Sequence, residues 1–184
     1  MPIDGALPFT PLRIAVLTVG NRSRPDDAAG DLLASRLIAA GHELGDRDRL
    51  MADLDAVTSR LRLWIADPGI DCVIIAGGTG LTERDVVPEA LARVWDREIP
   101  GFGELFRMVS FATVGTSAMQ SRACAGIAAG TCLFAVPSSP GGAADAWDSI
   151  LATQLDSRHR PCSVVGLVRH AVPTSPPGGA GEED

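Results

Sequence analysis

The chain has 184 residues, enough for one domain with its own core, and a net charge of −7 at neutral pH. Because nucleic-acid-binding surfaces need clustered cations, this acidic balance excludes a broad nucleic-acid surface, and we expect no nucleic-acid partner. All 16 basic residues are arginine, and the lack of lysine excludes Schiff-base enzymes and Walker-type phosphate loops.

The sequence also lacks the patterns of membrane and metal proteins. No apolar run approaches the roughly 20 residues of a membrane helix, and no secretory signal is visible, so we expect a cytoplasmic protein without a membrane partner. The cysteines and histidines show no metal-binding spacing, and we expect reduced core thiols and solvated histidines. These residues are Cys72, Cys124, Cys132, Cys162, His42, His159 and His170.

The first half of the chain predicts a strand, a long loop and two helices. The apolar run RIAVLTV (13–19) has the length of a buried strand, and a polar, turn-rich segment follows at 20–30. Apolar residues at helical spacing then predict a helix that ends at Gly41. A second helix is predicted from about Asp53 to Asp67.

The second half repeats this alternation. DCVIIA (71–76) predicts a strand, a glycine-rich turn follows, and Pro88 opens the next helix. Segment 101–111 is apolar at helical spacing, and the first two residues of segment 116–128 could each cap a helix. TCLFAVP (131–137) predicts another buried strand, followed by a loop and a helix.

Apolar strands that alternate with helices are typical of a three-layer, doubly wound α/β fold, with a mostly parallel sheet and helices on both faces. In such folds ligands bind beyond the carboxyl ends of the strands. We expect an N-terminal extension at 1–12, a single domain at 13–170 and a tail at 171–184. The composition of this tail is too poor in apolar residues for a core and predicts disorder.

Residues 77–80, GGTG, lie between a predicted strand and a helix, and we call them the glycine corner. Without β-carbons at Gly77, Gly78 and Gly80, successive backbone N–H groups are exposed, and the following helix adds the positive end of its dipole. The pattern matches neither the P-loop nor the dinucleotide-binding motif. It indicates either an anion site or a tight turn required by the backbone.

Polar side chains follow the glycine corner. Asp85, near the start of the Pro88 helix, either complements the helix N-terminus or holds Mg²⁺ beside a phosphate. Ser117 and Ser121 are four residues apart and would share one helical face, although Ser117 also suits a helix cap. Arg122 is either a phosphate ligand or an ordinary surface arginine.

Four segments, in order, carry a family resemblance: GGTGLTERDVVPEAL, REIPGFGELFRMVSF, GTSAMQSRACAGIAAG and VPSSPGGAADAW. They resemble the MoaB/MogA family of molybdenum cofactor biosynthesis proteins, above all its MoaB branch, over about residues 8–168. The family is related to the G domain of gephyrin. The resemblance implies the α/β fold described above, assembled as a homotrimer or homohexamer, with other molybdenum cofactor biosynthesis proteins as further partners.

The resemblance implies a molybdopterin adenylyltransferase, in which the terminal phosphate of molybdopterin attacks the α-phosphate of Mg-ATP and pyrophosphate leaves. Asp85 is implied as the essential carboxylate, with Asp53 as a second catalytic acid. Ser117 and Ser121 are implied at the phosphate end of the pterin. The other implied phosphate-binding residues lie in the glycine corner and in a facing loop: Gly77, Gly78, Thr79, Gly80, Pro137, Ser139, Pro140 and Gly141.

Three departures from the family pattern bear on catalysis. Where the family places an acid after its second strand, this chain has Ala52, and Asp53 follows it. Gly20 and Asn21 replace a Ser-Asp pair, and Asn carries no charge. Ser138 replaces a glycine of the facing loop, a substitution that would be strained if the backbone there had positive φ.

These departures leave two hypotheses from different classes. The glycine corner and Asp85 favour an active adenylyltransferase. Ala52, Gly20 and Asn21 favour a catalytically weakened paralogue that binds molybdopterin, or its adenylylated form, as a carrier or assembly protein.

Overall fold

The computed structural model describes residues 3–20 and 27–168. Asn21, His170 and the predicted tail 171–184 lie outside the described residues. No helix in the described ranges is long and apolar enough to cross a membrane.

Six strands form one mixed sheet in the order β2-β1-β3-β6-β5-β4. The strands are β1 (Arg13–Val19), β2 (Glu43–Leu50), β3 (Cys72–Ala76), β4 (Arg97–Glu98), β5 (Cys124–Ala128) and β6 (Thr131–Val136). Strands β1, β2, β3 and β6 run parallel to one another. Strand β5 runs antiparallel to both of its neighbours, β6 and β4.

Helices cover both faces of this sheet. They are α1 (Ala28–Ala39), α2 (Leu54–Ala66), α3 (Val87–Ala92), α4 (Pro100–Val114), α5 (Pro140–Ala146) and α6 (Ala152–Gln154). A π-helical turn at Trp147–Leu151 joins α5 to α6, and 3₁₀ turns lie at Gly115–Gln120 and Val164–Leu167. One buried cluster packs α1, α4 and α5 on one face, and another packs α2 and α3 on the other. The predicted three-layer fold is confirmed.

The central strands form because their side chains are apolar on both faces. Every residue of β3 and β6 is buried, as a sheet covered on both sides requires. The helices begin where side chains satisfy the free N–H groups of the first turn. Asp27 accepts a hydrogen bond from the Gly30 amide at the start of α1, and Ser139 accepts one from the Gly142 amide at α5.

Two elements differ from the sequence-based expectations. Strand β2, ELGDRDRL, was not predicted, because it is an edge strand whose side chains are exposed or half-buried and carry no apolar pattern. Segment 116–128 does not begin a helix. Its first residues belong to the 3₁₀ turn that follows α4, and its last five form β5.

The side chains of two histidines also contradict the expectation of solvated rings. His42 is 5% exposed and His159 is 6% exposed. Cys72 and Cys132 are buried, as predicted for core thiols, whereas Cys162 is exposed. All four cysteines are free.

The segment before β1 packs against His42, in the turn between α1 and β2. The ring of Phe9 lies 5.3 Å from that of His42, and Nδ1 of His42 accepts a hydrogen bond from the Leu12 amide at 3.1 Å. Burial holds the pKa of His42 below its usual value of 6.5, and the nearby Asp156 carboxylate partly offsets this effect. The structure therefore favours a neutral ring.

The lowered pKa of His42 predicts that the protein loses stability in mild acid. The unfolded chain takes up a proton near pH 6.5, above the folded pKa, so the free energy of unfolding should fall as the pH drops below about 6.5. Urea unfolding between pH 8 and pH 5 measures the effect. His42→Gln keeps an acceptor for Leu12 but does not titrate, so this variant should show a weaker pH dependence over that range. An unchanged pH profile in the variant would assign the acid sensitivity to other groups.

Candidate functional site

The candidate site lies where three parallel strands end at the same edge of the sheet. Register pairs join Thr18 of β1 to Ala76 of β3, and Ala76 to Val136 of β6. The loops that leave these strands therefore start side by side. They contain Gly20, the glycine corner and the loop that begins at Pro137.

Two open cavities meet at this edge. The first has a volume of about 430 Å³ and the second a volume of about 300 Å³. Gly78, Asp85 and Ser138 line both cavities. The first is also lined by Val19, Gly20, Met51, Ala52 and Arg84, and the second by Thr79, Gly80, Gln120, Ser121, Pro137 and Ser139. The edge of the sheet is open to ligands on both sides of Asp85.

The backbone of the glycine corner requires glycine at two positions. Gly77 has φ +102°, and a β-carbon there would lie 2.2 Å from the Val19 carbonyl oxygen. Gly78 has φ +65°, and a β-carbon there would lie 2.7 Å from Cγ2 of Val87. Positive φ and close contacts thus account for both glycines, as expected for a tight turn that the backbone requires.

The same conformation leaves main-chain donors for an anion. The Gly77 amide donates to the Val136 carbonyl. Within the described ranges, the amides of Gly78 and Thr79 have no protein acceptor. Both residues line the second cavity, so an anion could accept their hydrogen bonds. The two interpretations of the glycine corner are therefore compatible.

We expect Gly77→Ala to destabilise the protein strongly. Positive φ and a contact with the Val19 carbonyl together should cost roughly 2–4 kcal/mol. Gly141→Ala is the matched control, because a β-carbon at this position in α5 meets open space and should be neutral or stabilise by up to about 1 kcal/mol. Urea unfolding measures both. Equal stabilities would show that the corner relaxes without cost.

Asp85 is fixed by the loop that it closes. Its Oδ2 accepts hydrogen bonds from the Thr82 amide at 2.9 Å and from the Thr82 hydroxyl at 2.6 Å. Partial burial acts to raise the pKa of Asp85, but the Thr82 and Gly80 donors and the charge of Arg122 hold it below the usual 3.8. The group is therefore an anion at neutral pH.

Two arginines have different environments at this site. The guanidinium of Arg122 donates to the carbonyls of Gly80 and Asp85 and pairs with Glu89. It is thus bound by protein groups and is not available to a phosphate. Arg84 is exposed and lines the first cavity, and none of the carboxylates that the structure describes pairs with it. Sequence reasoning did not select Arg84, although a cation next to Asp85 in the same loop was a usable signal.

The structure brings most of the predicted phosphate-binding residues together. Gly78, Thr79 and Gly80 of the glycine corner line the second cavity with Ser121, Pro137 and Ser139, whereas Gly77 lines neither cavity. Ser117 is exposed in the 3₁₀ turn and lines neither cavity. Pro140 and Gly141, in the first turn of α5, also line neither cavity.

The two candidate acids lie in different surroundings. Asp85 lines both cavities, whereas Asp53 accepts a hydrogen bond from the Ala56 amide at 2.8 Å as the N-cap of α2. Ala52, not Asp53, lines the first cavity. A larger side chain at position 52 would therefore lie on the wall of the cavity that Asp85 also lines.

The other departures are accommodated by the backbone. Among the described non-glycine residues only Ala129 has positive φ, so Ser138 is not strained. Ser138 lines both cavities and was missed as a candidate contact. A β-carbon at Gly20 would meet no atom of the described residues within 4 Å, and Gly20 lines the first cavity.

The donor set does not form a resident metal centre. No group of three or more histidine, cysteine or acidic side chains in the described chain could hold a metal ion. Magnesium, however, is commonly bound by one or two carboxylates together with substrate phosphates. Asp85 fits that requirement as a single carboxylate that lines both cavities.

Comparisons with known proteins agree with this geometry. A family model described as "Probable molybdopterin binding domain" matches residues 15–157. Molybdenum cofactor biosynthesis protein B of Escherichia coli (strain K12) is 47% identical over 156 residues, which cover 84% of this chain and 92% of that protein.

Solved structures give the same result. A crystal structure of molybdenum cofactor biosynthesis protein B has a TM-score of 0.76 at 34% identity, covering 79% of this chain and 92% of that one. The molybdopterin biosynthesis enzyme MoaB of Thermus thermophilus has a TM-score of 0.70 at 31% identity, covering 76% and 89%. The chain belongs to the MoaB/MogA family of molybdenum cofactor biosynthesis proteins, and within it to the MoaB branch.

Proposed function

We propose that this protein is a molybdopterin adenylyltransferase that uses Mg-ATP. The terminal phosphate of molybdopterin attacks the α-phosphorus of ATP. A phosphorus–oxygen bond forms, the bond from the α-phosphorus to the bridging oxygen of the β-phosphate breaks, and pyrophosphate leaves with the electron pair. The products are adenylylated molybdopterin and pyrophosphate.

One observation carries the proposal: two main-chain amides without an acceptor among the described residues, those of Gly78 and Thr79, line the second cavity, and the ionised carboxylate of Asp85 lines both cavities. Phosphoryl-type transfer needs positioning and charge neutralisation more than a covalent nucleophile. The Gly78 and Thr79 amides donate hydrogen bonds to phosphate oxygens, and Arg84 supplies a positive charge at the first cavity. Two cavities that share a wall suit a reaction between two phosphorylated ligands.

Magnesium enters this site with ATP as part of the substrate. Asp85 would hold it together with the phosphates, because Thr82 orients the carboxylate and the depressed pKa keeps the group ionised. Bound magnesium supplies neutralisation of phosphate charge. The protein's own part is to orient the phosphates by its amides.

A second candidate function rests on Ala52. Its methyl group lines the first cavity at the place where the family pattern has an acid, and the carboxylate of Asp53 is used to cap α2. With one acid instead of two, the protein would bind molybdopterin or adenylylated molybdopterin as a carrier or assembly protein with little turnover.

We further propose a homo-oligomer, a trimer or hexamer, in the cytoplasm. Several large apolar side chains on α4 and the 3₁₀ turn are at least half exposed: Leu105, Met108, Phe111, Val114 and Met119. A contiguous apolar surface of this kind supports contact with another protein surface. Light scattering of the purified protein measures the mass of the assembly.

Pyrophosphate release separates the two functions. Purified protein is incubated with Mg-ATP and molybdopterin, and both pyrophosphate formation and molybdopterin binding are measured. Pyrophosphate that depends on both substrates supports the adenylyltransferase. Tight molybdopterin binding without pyrophosphate eliminates the enzyme and leaves the carrier.

A further inference from the structure

We propose that Arg122 is a positioning residue for the adenylyl transfer, which acts by holding the glycine corner and Asp85 in one arrangement. The inference rests on the proposed function, since it assigns a role within the same site. Arg122 lines neither of the two cavities at Asp85; its contacts reach both ends of the loop that carries the catalytic groups.

Arg122 makes three hydrogen bonds to this loop and one to the helix that follows it. Its amide donates to the Thr79 carbonyl at 2.8 Å, and its Nε donates to the Gly80 carbonyl at 2.6 Å. Its Nη2 donates to the Asp85 carbonyl, and its Nη1 pairs with Glu89 of α3. One residue thus connects the corner, the Asp85 backbone and the following helix across more than 30 positions of sequence.

Apart from the bonds of Arg122, one hydrogen bond of the described structure ties the loop to the sheet, from the Gly77 amide to the Val136 carbonyl. Asp85 and Thr82 bond to each other, which shapes the loop but does not attach it. The Val87 amide donates to the Gly78 carbonyl, which closes the loop upon itself. Among these bonds, those of Arg122 are the ones that tie the loop to the segment leading into β5. Arg122→Ala removes the three side-chain bonds and keeps the amide bond to Thr79, so the loop should stay intact but become free to shift at Asp85.

Arginine is suited to this task and lysine is not. The planar guanidinium presents donors in fixed directions, so it can reach two carbonyls and a carboxylate at once, whereas an ammonium group is a compact charge on a flexible stem. The charge of Arg122 also helps to hold Asp85 ionised. Positioning errors of about 1 Å at such sites cost about 10²-fold in rate.

The test compares Arg122→Ala and Arg122→Lys with Arg93→Ala. Arg93 is the matched control because it also pairs with a carboxylate, that of Asp55 at 2.7 Å, and lies outside the glycine corner and its loop. Amide hydrogen exchange of Thr82, Asp85 and Val87 is measured without substrates. We expect exchange in Arg122→Ala to rise by about tenfold or more at these amides, with Arg93→Ala like the parent protein.

Steady-state kinetics of the same variants give an independent test. In Arg122→Ala, kcat should fall by about 10²-fold with a smaller change in KM, Arg122→Lys should recover little, and added guanidinium should restore part of kcat. Unchanged exchange in Arg122→Ala would overturn the positioning role. If the parent protein is active, a kcat in Arg122→Ala equal to that of the parent would also overturn it. If the parent protein releases no pyrophosphate, the proposed function fails, but the exchange rates still decide the role of Arg122.

Discussion

Asp85→Asn should reduce pyrophosphate release by about 10²- to 10³-fold with little change in fold. Asparagine has the shape of aspartate, and its carbonyl oxygen can still accept the Thr82 hydrogen bonds at the site of Oδ2. The negative charge is lost, and with it the group that is proposed to hold magnesium beside the phosphates. A lower affinity for Mg-ATP should accompany the fall in kcat.

Glu83→Gln is the control for this experiment. Glu83 lies in the same loop, is exposed and lines neither cavity, so its variant removes one charge close to Asp85 in the chain. Steady-state kinetics and calorimetric titration with Mg-ATP measure both variants. Comparable losses in the two variants would mean that net charge near the loop matters, and not the carboxylate of Asp85.

The lowered pKa of Asp85 also predicts how activity depends on pH. Because its pKa lies below the usual value of 3.8, the group stays ionised down to that value, and activity should not decline through protonation of Asp85 at about pH 5 and above.

Ala52→Asp should raise turnover by about tenfold, which corresponds to about 1.4 kcal/mol. The position lines the first cavity with Asp85, so a carboxylate there would add a second oxygen ligand for magnesium. The gain should be largest at low magnesium concentration, where binding of the metal limits the rate. Pyrophosphate release measured across a magnesium series gives the comparison.

Two further variants show whether the gain comes from the charge at position 52 and whether Asp53 already acts as the second acid. Ala52→Asn adds nearly the same volume without charge and should show no comparable gain. Asp53→Asn keeps an N-cap for α2, because asparagine caps as well as aspartate, but removes the charge. A loss of turnover in Asp53→Asn together with no gain in Ala52→Asp would assign the second acid role to Asp53.

The sequence predicted the buried centre of the fold and missed its edge. The runs at 13–19, 71–76 and 131–137 contain β1, β3 and β6 because strands buried on both faces are continuously apolar. Strand β2 carries alternating charges at the edge of the sheet, and its pairing with β1 has no local signal. Segment 116–128 was misread because a polar start and an apolar continuation suit both a capped helix and a turn before a strand.

The candidate site was predictable where a motif is local. The glycine corner and Asp85 follow one another closely in the chain, and their chemistry follows from missing β-carbons and a nearby charge. The role of Arg122 depends on contacts with Gly80, Asp85 and Glu89 that only folding brings close. The burial of His42 depends in the same way on the segment before β1, since Phe9 packs against the ring and Leu12 donates to it.

The most direct test of the central claim is a titration of the ¹⁵N-labelled protein with pyrophosphate, followed by the backbone amide chemical shifts. The account predicts that the amides of Gly78 and Thr79 shift together, with a saturation that Asp85→Asn does not abolish, because metal-free binding relies on main-chain donors. Saturable shifts elsewhere, with Gly78 and Thr79 unmoved, would contradict an anion site at the glycine corner.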